Sequence, residues 1–241
     1  MTLLVALKST DGIALAADSR GTFGDPRGIT AQNDSQQKAR VLAPHVAVLQ
    51  AGTGDVGTLL IQEVTQQIQN ANLDGVTPVM EVLRSHSRQR YNEWFPSVPA
   101  IPAPALAQMG QTATRPDLVF IVAGYEVGSG GADAQKLYSL GSQLDFSPML
   151  HDYGFAVQGV AQYALYLLNR LYEPGRTVQE MTALAAYVIT ETASQDGKVG
   201  GPVNLVTISE QNGCVHLSAQ EVENIIRSNE ARSRGLKGQL L

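Results

Sequence analysis

The first forty-odd residues follow the short period of strands. Leu3-Leu4-Val5-Ala6-Leu7, a turn at Thr10-Asp11-Gly12 and Ile13-Ala14-Leu15-Ala16-Ala17 predict a β-hairpin of half-buried strands. A Gly/Pro-rich stretch from Gly21 to Gly28 reads as a connection, Lys38 to Leu42 follows it, and His45-Val46-Ala47-Val48-Leu49-Gln50-Ala51 supplies a further strand ending in Gly52-Thr53-Gly54. The period then changes. Val56, Leu59, Leu60, Val64 and Ile68 fall on one face of a helix, and a second helix runs from Thr77-Pro78 to about Trp94. Residues 96 to 116 carry Pro96, Pro99, Pro102, Pro104 and Pro116, which predicts an exposed loop or insertion.

Strand patterns return at Leu118 to Ala123, Lys136 to Leu140 and Phe155 to Val157, separated by glycine-rich turns. Two more helices are predicted. One covers Ala161 to Tyr172, and the other runs from the N-cap Thr177, with Glu180 three residues on, to about Ala193. Val203 to Ile208 and Val215-His216-Leu217 read as a closing hairpin before a charged C-terminal helical extension from about Ala219. This order of strands, helix pairs and strands predicts an α+β chain of two packed sheets flanked by helices, with residues 1–241 forming one domain.

Composition narrows the function classes. With 44% apolar residues in 241 the chain can bury a substantial core, and its formal charge of −5, with no lysine and arginine cluster, argues against nucleic acid as a partner. A single cysteine, Cys214, excludes an internal disulfide, as expected in a reducing, cytoplasmic setting. The start Met-Thr-Leu-Leu-Val-Ala-Leu-Lys is too short for a signal peptide, and no apolar run reaches the ~20 residues of a membrane span. The four histidines lie apart from other ligand types, so neither a metal nor another cofactor is expected.

The chemistry centres on Thr2. A threonine hydroxyl needs a base, and a free α-amino group with a pKa of about 7.7 to 8.0 suits that task near neutrality. Removal of Met1 would give Thr2 both groups. Downstream, Asp11-Gly12-Ile13-Ala14-Leu15-Ala16-Ala17-Asp18-Ser19-Arg20 resembles the proteasome β-subunit family, whose strand carries this Asp-Ser-Arg element at the same distance from a nucleophilic threonine. After an apparent insertion in the Gly21 to Gly28 loop, the resemblance continues at Lys38, Leu42 and Ala51-Gly52-Thr53-Gly54-Asp55. It extends over nearly the whole chain and is similar to that of bacterial stand-alone homologues.

That resemblance implies a four-layer αββα sandwich, the N-terminal-nucleophile hydrolase fold. It also implies catalytic roles for Thr2 as nucleophile, Asp18 and Lys38 as a buried charge pair, Gly52 as oxyanion donor, and Asp196. A substrate pocket would draw on Gly21, Gln36, Arg40, Gln50 and Gly54, a polar set with one cation that predicts a polar or acidic residue before the scissile bond. The expected activity is threonine-dependent hydrolysis of peptide or unfolded protein within a homo-oligomeric ring. Two family serines are absent: their positions hold Gly159 and Val199. Two alternatives stand beside hydrolysis: a non-catalytic scaffold or gating subunit, and a ligase or transpeptidase using the same acyl ester.

Overall fold

The computed structural model describes residues 2–25, 28–96, 115–128 and 130–240, so the greater part of the proline-rich segment lies outside the described residues. The chain runs through β1 (Leu3–Lys8), β2 (Ile13–Ala17), β3 (Gly21–Asp25), β4 (Gly28–Asn33), β5 (Ala39–Ala43) and β6 (Val46–Gly52) into helices α1 (Gly54–Asn70) and α2 (Val76–Trp94). There follow β7 (Leu118–Tyr125), β8 (Gln135–Gly141), β9 (Met149–Leu150), β10 (Phe155–Gly159), α3 (Ala161–Leu171), α4 (Val178–Gln195), β11 (Asn204–Ser209), β12 (Gly213–His216) and α5 (Ala219–Leu240). The protein is α+β.

Two antiparallel five-stranded sheets carry the core, ordered β10-β1-β2-β11-β12 and β5-β6-β7-β8-β9. Side chains of a strand alternate between faces, and here both faces are covered. On one face of the first sheet, Leu4, Ala6, Ile13, Leu15 and Ala17 join Ala47, Leu49, Ile121 and Ala123 of the second sheet. On its other face, Leu3, Val5, Leu7, Ala14 and Ala16 join Leu168, Met181, Ala185, Val188 and Ile189 of α3 and α4. The second sheet in turn gives Val46, Val48, Phe120 and Val122 to a cluster with Leu60, Val64, Val79 and Leu83 of α1 and α2. The Val, Leu, Ile, Phe and Met side chains among these each contribute ~1.5–3 kcal/mol when fully buried.

Double coverage corrects one expectation. β1 and β2 were expected to be half-buried, yet nearly every residue in them is buried, which is why their sequences are continuous apolar runs. The Gly21 to Gly28 stretch also differs from the expected connection: β3 and β4 pair as a separate two-stranded hairpin. Its glycine content hid a strand signal that local pairing restores.

Candidate active site

The register of β1 against β2 assembles the first part of the site. Leu4 lies opposite Ala17, so the next residue of β2's exit, Asp18, falls beside Leu3. The Leu3 N–H donates to Asp18 Oδ1 at 3.0 Å, and the Asp18 N–H donates to the Leu3 carbonyl at 3.3 Å. Asp18 is fully buried and Lys38 is 2% exposed. Lys38 Nζ donates to Asp18 Oδ1 at 2.8 Å and to the Arg20 carbonyl at 2.6 Å. The other carboxylate oxygen accepts the N–H of Gly200 at 3.1 Å and that of Arg20 at 3.3 Å. A buried ion pair survives only when its remaining bonds are made, and these are. Burial pushes the Lys38 ammonium below its ordinary pKa, with Asp18 opposing that shift.

Thr2 stands one residue before this junction and is 7% exposed. Its carbonyl accepts the Val160 N–H at 2.8 Å, which ties the start of β1 to the end of β10. A cavity of about 370 Å³ opens beside it, with Gly21, Gln36, Gly52, Gly54 and Asp55 among its walls. The Gln36 carboxamide packs against Gly21, where an added Cβ would lie 2.5 Å from its nitrogen, and faces Gly54.

Strand geometry aims Gly52 at the same space. Successive residues turn their N–H groups to opposite sides of a strand. The Thr53 N–H donates to Asp117 on the β7 side at 2.8 Å, whereas the Gln50 N–H donates to Lys38 on the β5 side at 2.9 Å. The Gly52 N–H therefore shares the Gln50 side, past the first residue of β5 and toward the cavity. Its φ of +101°, together with an Asp117 carbonyl 2.1 Å from where a Cβ would stand, requires glycine here.

Other sequence-derived candidates lie apart. Gln50 is buried beneath the sheet, donating to the Thr58 hydroxyl at 3.0 Å, and is not among the cavity walls. Arg40 lines a different cleft with Gln37, Gln62 and His216. Asp196 caps the end of α4 and shapes the turn after it, its Oδ1 accepting the Lys198 N–H at 2.9 Å and its carbonyl the Val199 N–H at 3.0 Å. Val199 is 1% exposed and belongs to the apolar cluster under the first sheet. The sequence reading gave no site role to Arg20 and Gly200, whose N–H groups bind the Asp18 carboxylate, or to Asp34, which pairs with the Arg20 guanidinium. Among the described residues no group of three or more His, Cys, Asp or Glu is arranged to hold a metal ion.

No family model matches the chain. It is 24% identical over 232 residues to proteasome subunit beta 1 of Streptomyces avermitilis, across 94% of this chain and 75% of that protein. It is likewise 24% identical over 235 residues to proteasome subunit beta 1 of Thermococcus kodakarensis, across 93% of this chain and 96% of that protein. The chain is therefore similar to proteasome β subunits along nearly all of its length. No described helix is long and apolar enough to cross a membrane.

Proposed function

We propose that the chain is a threonine-dependent amidohydrolase of the N-terminal-nucleophile type, with Thr2 exposed as the first residue by removal of Met1. The buried Lys38–Asp18 pair, bonded to the amide that directly follows Thr2, carries this reading. The sequence of apolar clusters, helices on sheet, sheet on sheet and sheet on helices, supports the four-layer αββα sandwich. In the reaction, the α-amine takes the hydroxyl proton as Thr2 Oγ attacks the substrate carbonyl. The Lys38 ammonium, held charged by Asp18, lowers the cost of the alkoxide. Gly52 N–H receives the developing oxyanion, an interaction typically worth ~3 kcal/mol of barrier. Expulsion of the amine, which takes the proton back, leaves an ester on Thr2 that water hydrolyses.

Peptide or unfolded protein is the substrate class, and Gly21, Gln36 and Gly54 beside Thr2 favour a polar residue before the scissile bond. Both relatives are named as proteasome subunits, which supports assembly into an oligomer, and we extend this to a homo-oligomeric ring in the cytoplasm. One observation favours a second reading, a non-catalytic ring subunit: neither Gly159 nor Val199 offers a hydroxyl near the nucleophile.

Intact mass of the purified protein, followed by a threonine-directed epoxyketone or β-lactone, tests the choice. Loss of Met1 and an adduct absent from Thr2→Ala are expected. A retained Met1 with no adduct would replace the enzyme by the scaffold. Adding an amine to the reaction and analysing the products distinguishes hydrolysis from acyl transfer.

A further inference from the structure

At the surface beside Asp18, the Arg20 side chain joins two other segments of the chain, at Asp34 and at Gly197. Arg20 Nε and the Nη2 atom each donate to a different oxygen of Asp34 at 2.8 Å, a two-pronged ion pair. The same guanidinium reaches across with Nη1 to the Gly197 carbonyl at 3.0 Å, and Gln32 Nε2 adds a longer contact to that carbonyl at 3.4 Å. The Asp34 carbonyl accepts the Ser19 hydroxyl at 2.8 Å, so the residue is gripped from both ends.

The turn that Arg20 holds is the one that closes over the buried pair. The Gly200 carbonyl accepts the N–H groups of Ser19 and Arg20 at 3.1 and 3.0 Å, while the Gly200 N–H donates to Asp18. Glycine is needed twice for this fit. A Cβ on Gly200 would lie 2.6 Å from the Arg20 guanidinium carbon, and one on Gly201, whose φ is +73°, would lie 2.5 Å from the Ser19 hydroxyl and 2.8 Å from Asp34 Cβ. The Arg20 carbonyl, meanwhile, is the second acceptor of Lys38 Nζ. Displacing Arg20 therefore disturbs both partners of the pair: an acceptor of the lysine, and the turn that donates to the aspartate.

We propose that Asp34 is a positioning residue. Through Arg20 it holds the 197–201 turn on Asp18 and so fixes the Lys38–Asp18 pair beside Thr2. Its relevance to turnover rests on the nucleophile reading above, whereas its hold on the turn does not. The mutual effect on ionisation agrees with the geometry: the bond to Arg20 lowers the pKa of the Asp34 carboxyl, and the bond to Asp34 raises that of Arg20. Both side chains are partly exposed, and exposed ion pairs add little to global stability. Loss of the clamp should therefore appear in local order and chemistry rather than in the melting temperature.

Asp34→Ala and Asp34→Glu, compared with the unaltered full chain, test this. Hydrogen–deuterium exchange of peptides spanning 196–203 should quicken in Asp34→Ala and return toward the starting rate in Asp34→Glu. With a β-lactone probe, the limiting acylation rate of Asp34→Ala should fall roughly tenfold while the half-saturating probe concentration changes by less, because Arg20 is a cavity wall but Gly21, Gln36, Gly52 and Gly54 keep their places. Unchanged exchange in Asp34→Ala overturns the proposal. So does an unchanged limiting rate in a protein that labels, or an equal loss from Asp34→Glu. If the unaltered protein takes no label, the nucleophile reading fails and the exchange experiment alone decides the clamp.

Discussion

At Gly159 the backbone stands at φ +91°, and an added Cβ would lie 1.8 Å from the Thr2 carbonyl oxygen. A serine cannot occupy this backbone without displacing the residue it is meant to assist. Gly159→Ser should lower stability by about 1–3 kcal/mol, the usual cost of a forced positive φ, and should leave Thr2 labelling no faster. A urea midpoint equal to that of the unaltered protein, or accelerated labelling, would refute this. Val199 is closed for a different reason: its side chain lies in the apolar cluster with Leu205, Ile189 and Val222. That Asp18, Lys38 and Gly52 gather near Thr2 was expected from the spacing of the element they resemble, and the catalytic roles given to them are the proposal above. Arg40 and Gln50 were not placed by sequence, since a one-residue turn of a strand moves a side chain to the opposite face. Arg20 on its own could not be told from an ordinary surface charge; its role depends on Asp34 and Gly197, which the chain brings to it from 14 and 177 residues away.

Elements with local signals formed as their sequences indicate. Thr177 accepts the Glu180 N–H at 3.3 Å and Glu180 returns a bond to the Thr177 N–H at 2.9 Å, the reciprocal cap that the spacing announces. The short β9 strand carried no such signal, and it matters for its neighbour. His151, directly after β9, meets the Ser139 hydroxyl of β8 through Nε2 at 2.9 Å and donates its N–H to Leu137 at 2.9 Å. Burial depresses its pKa; Lys8 pushes the same way and Asp152 opposes. The unfolded chain therefore binds this proton more readily than the folded one. The stability tied to neutral His151 is present above the unfolded pKa of about 6.5 and is lost as pH falls from there through the folded value. Urea unfolding at about pH 7.5 and about pH 5.5 should show a smaller acid loss in His151→Gln than in the unaltered protein. An identical loss in both would show that the histidine takes no part.

Across the whole molecule, each apolar cluster shares a sheet with the next, so no layer has a core of its own. The C-terminal helix belongs to this arrangement. Val222 is buried, Ile225 and Ile226 pack against the cluster under the first sheet, and Asn229 Nδ2 donates to the Ala183 carbonyl of α4 at 2.8 Å. We propose that residues 1–241 act as one folding unit. Near-ultraviolet and far-ultraviolet signals should then report a single coincident unfolding transition, and Val222→Asp should shift that transition by a few kcal/mol, the scale of an unpaired polar group in a core. An early transition confined to the far-ultraviolet signal in Val222→Asp would mark α5 as an independent appendage.

The sequence by itself determined which segments become strands and helices wherever period and capping are local properties. It also held the spacing from which Thr2, Asp18, Lys38 and Gly52 are proposed as a site, because residue type and spacing survive in one dimension. Tertiary structure alone decided which face each strand residue meets, that Arg40 and Gln50 lie off the cavity walls, that Gly159 has no room for a Cβ and that Val199 lies in an apolar cluster. It decided too that Asp34 reaches the buried pair through Arg20. Those outcomes depend on register and on contacts between segments far apart along the chain, and such contacts acquire a definite geometry only when the sheets and the turns between them are closed together.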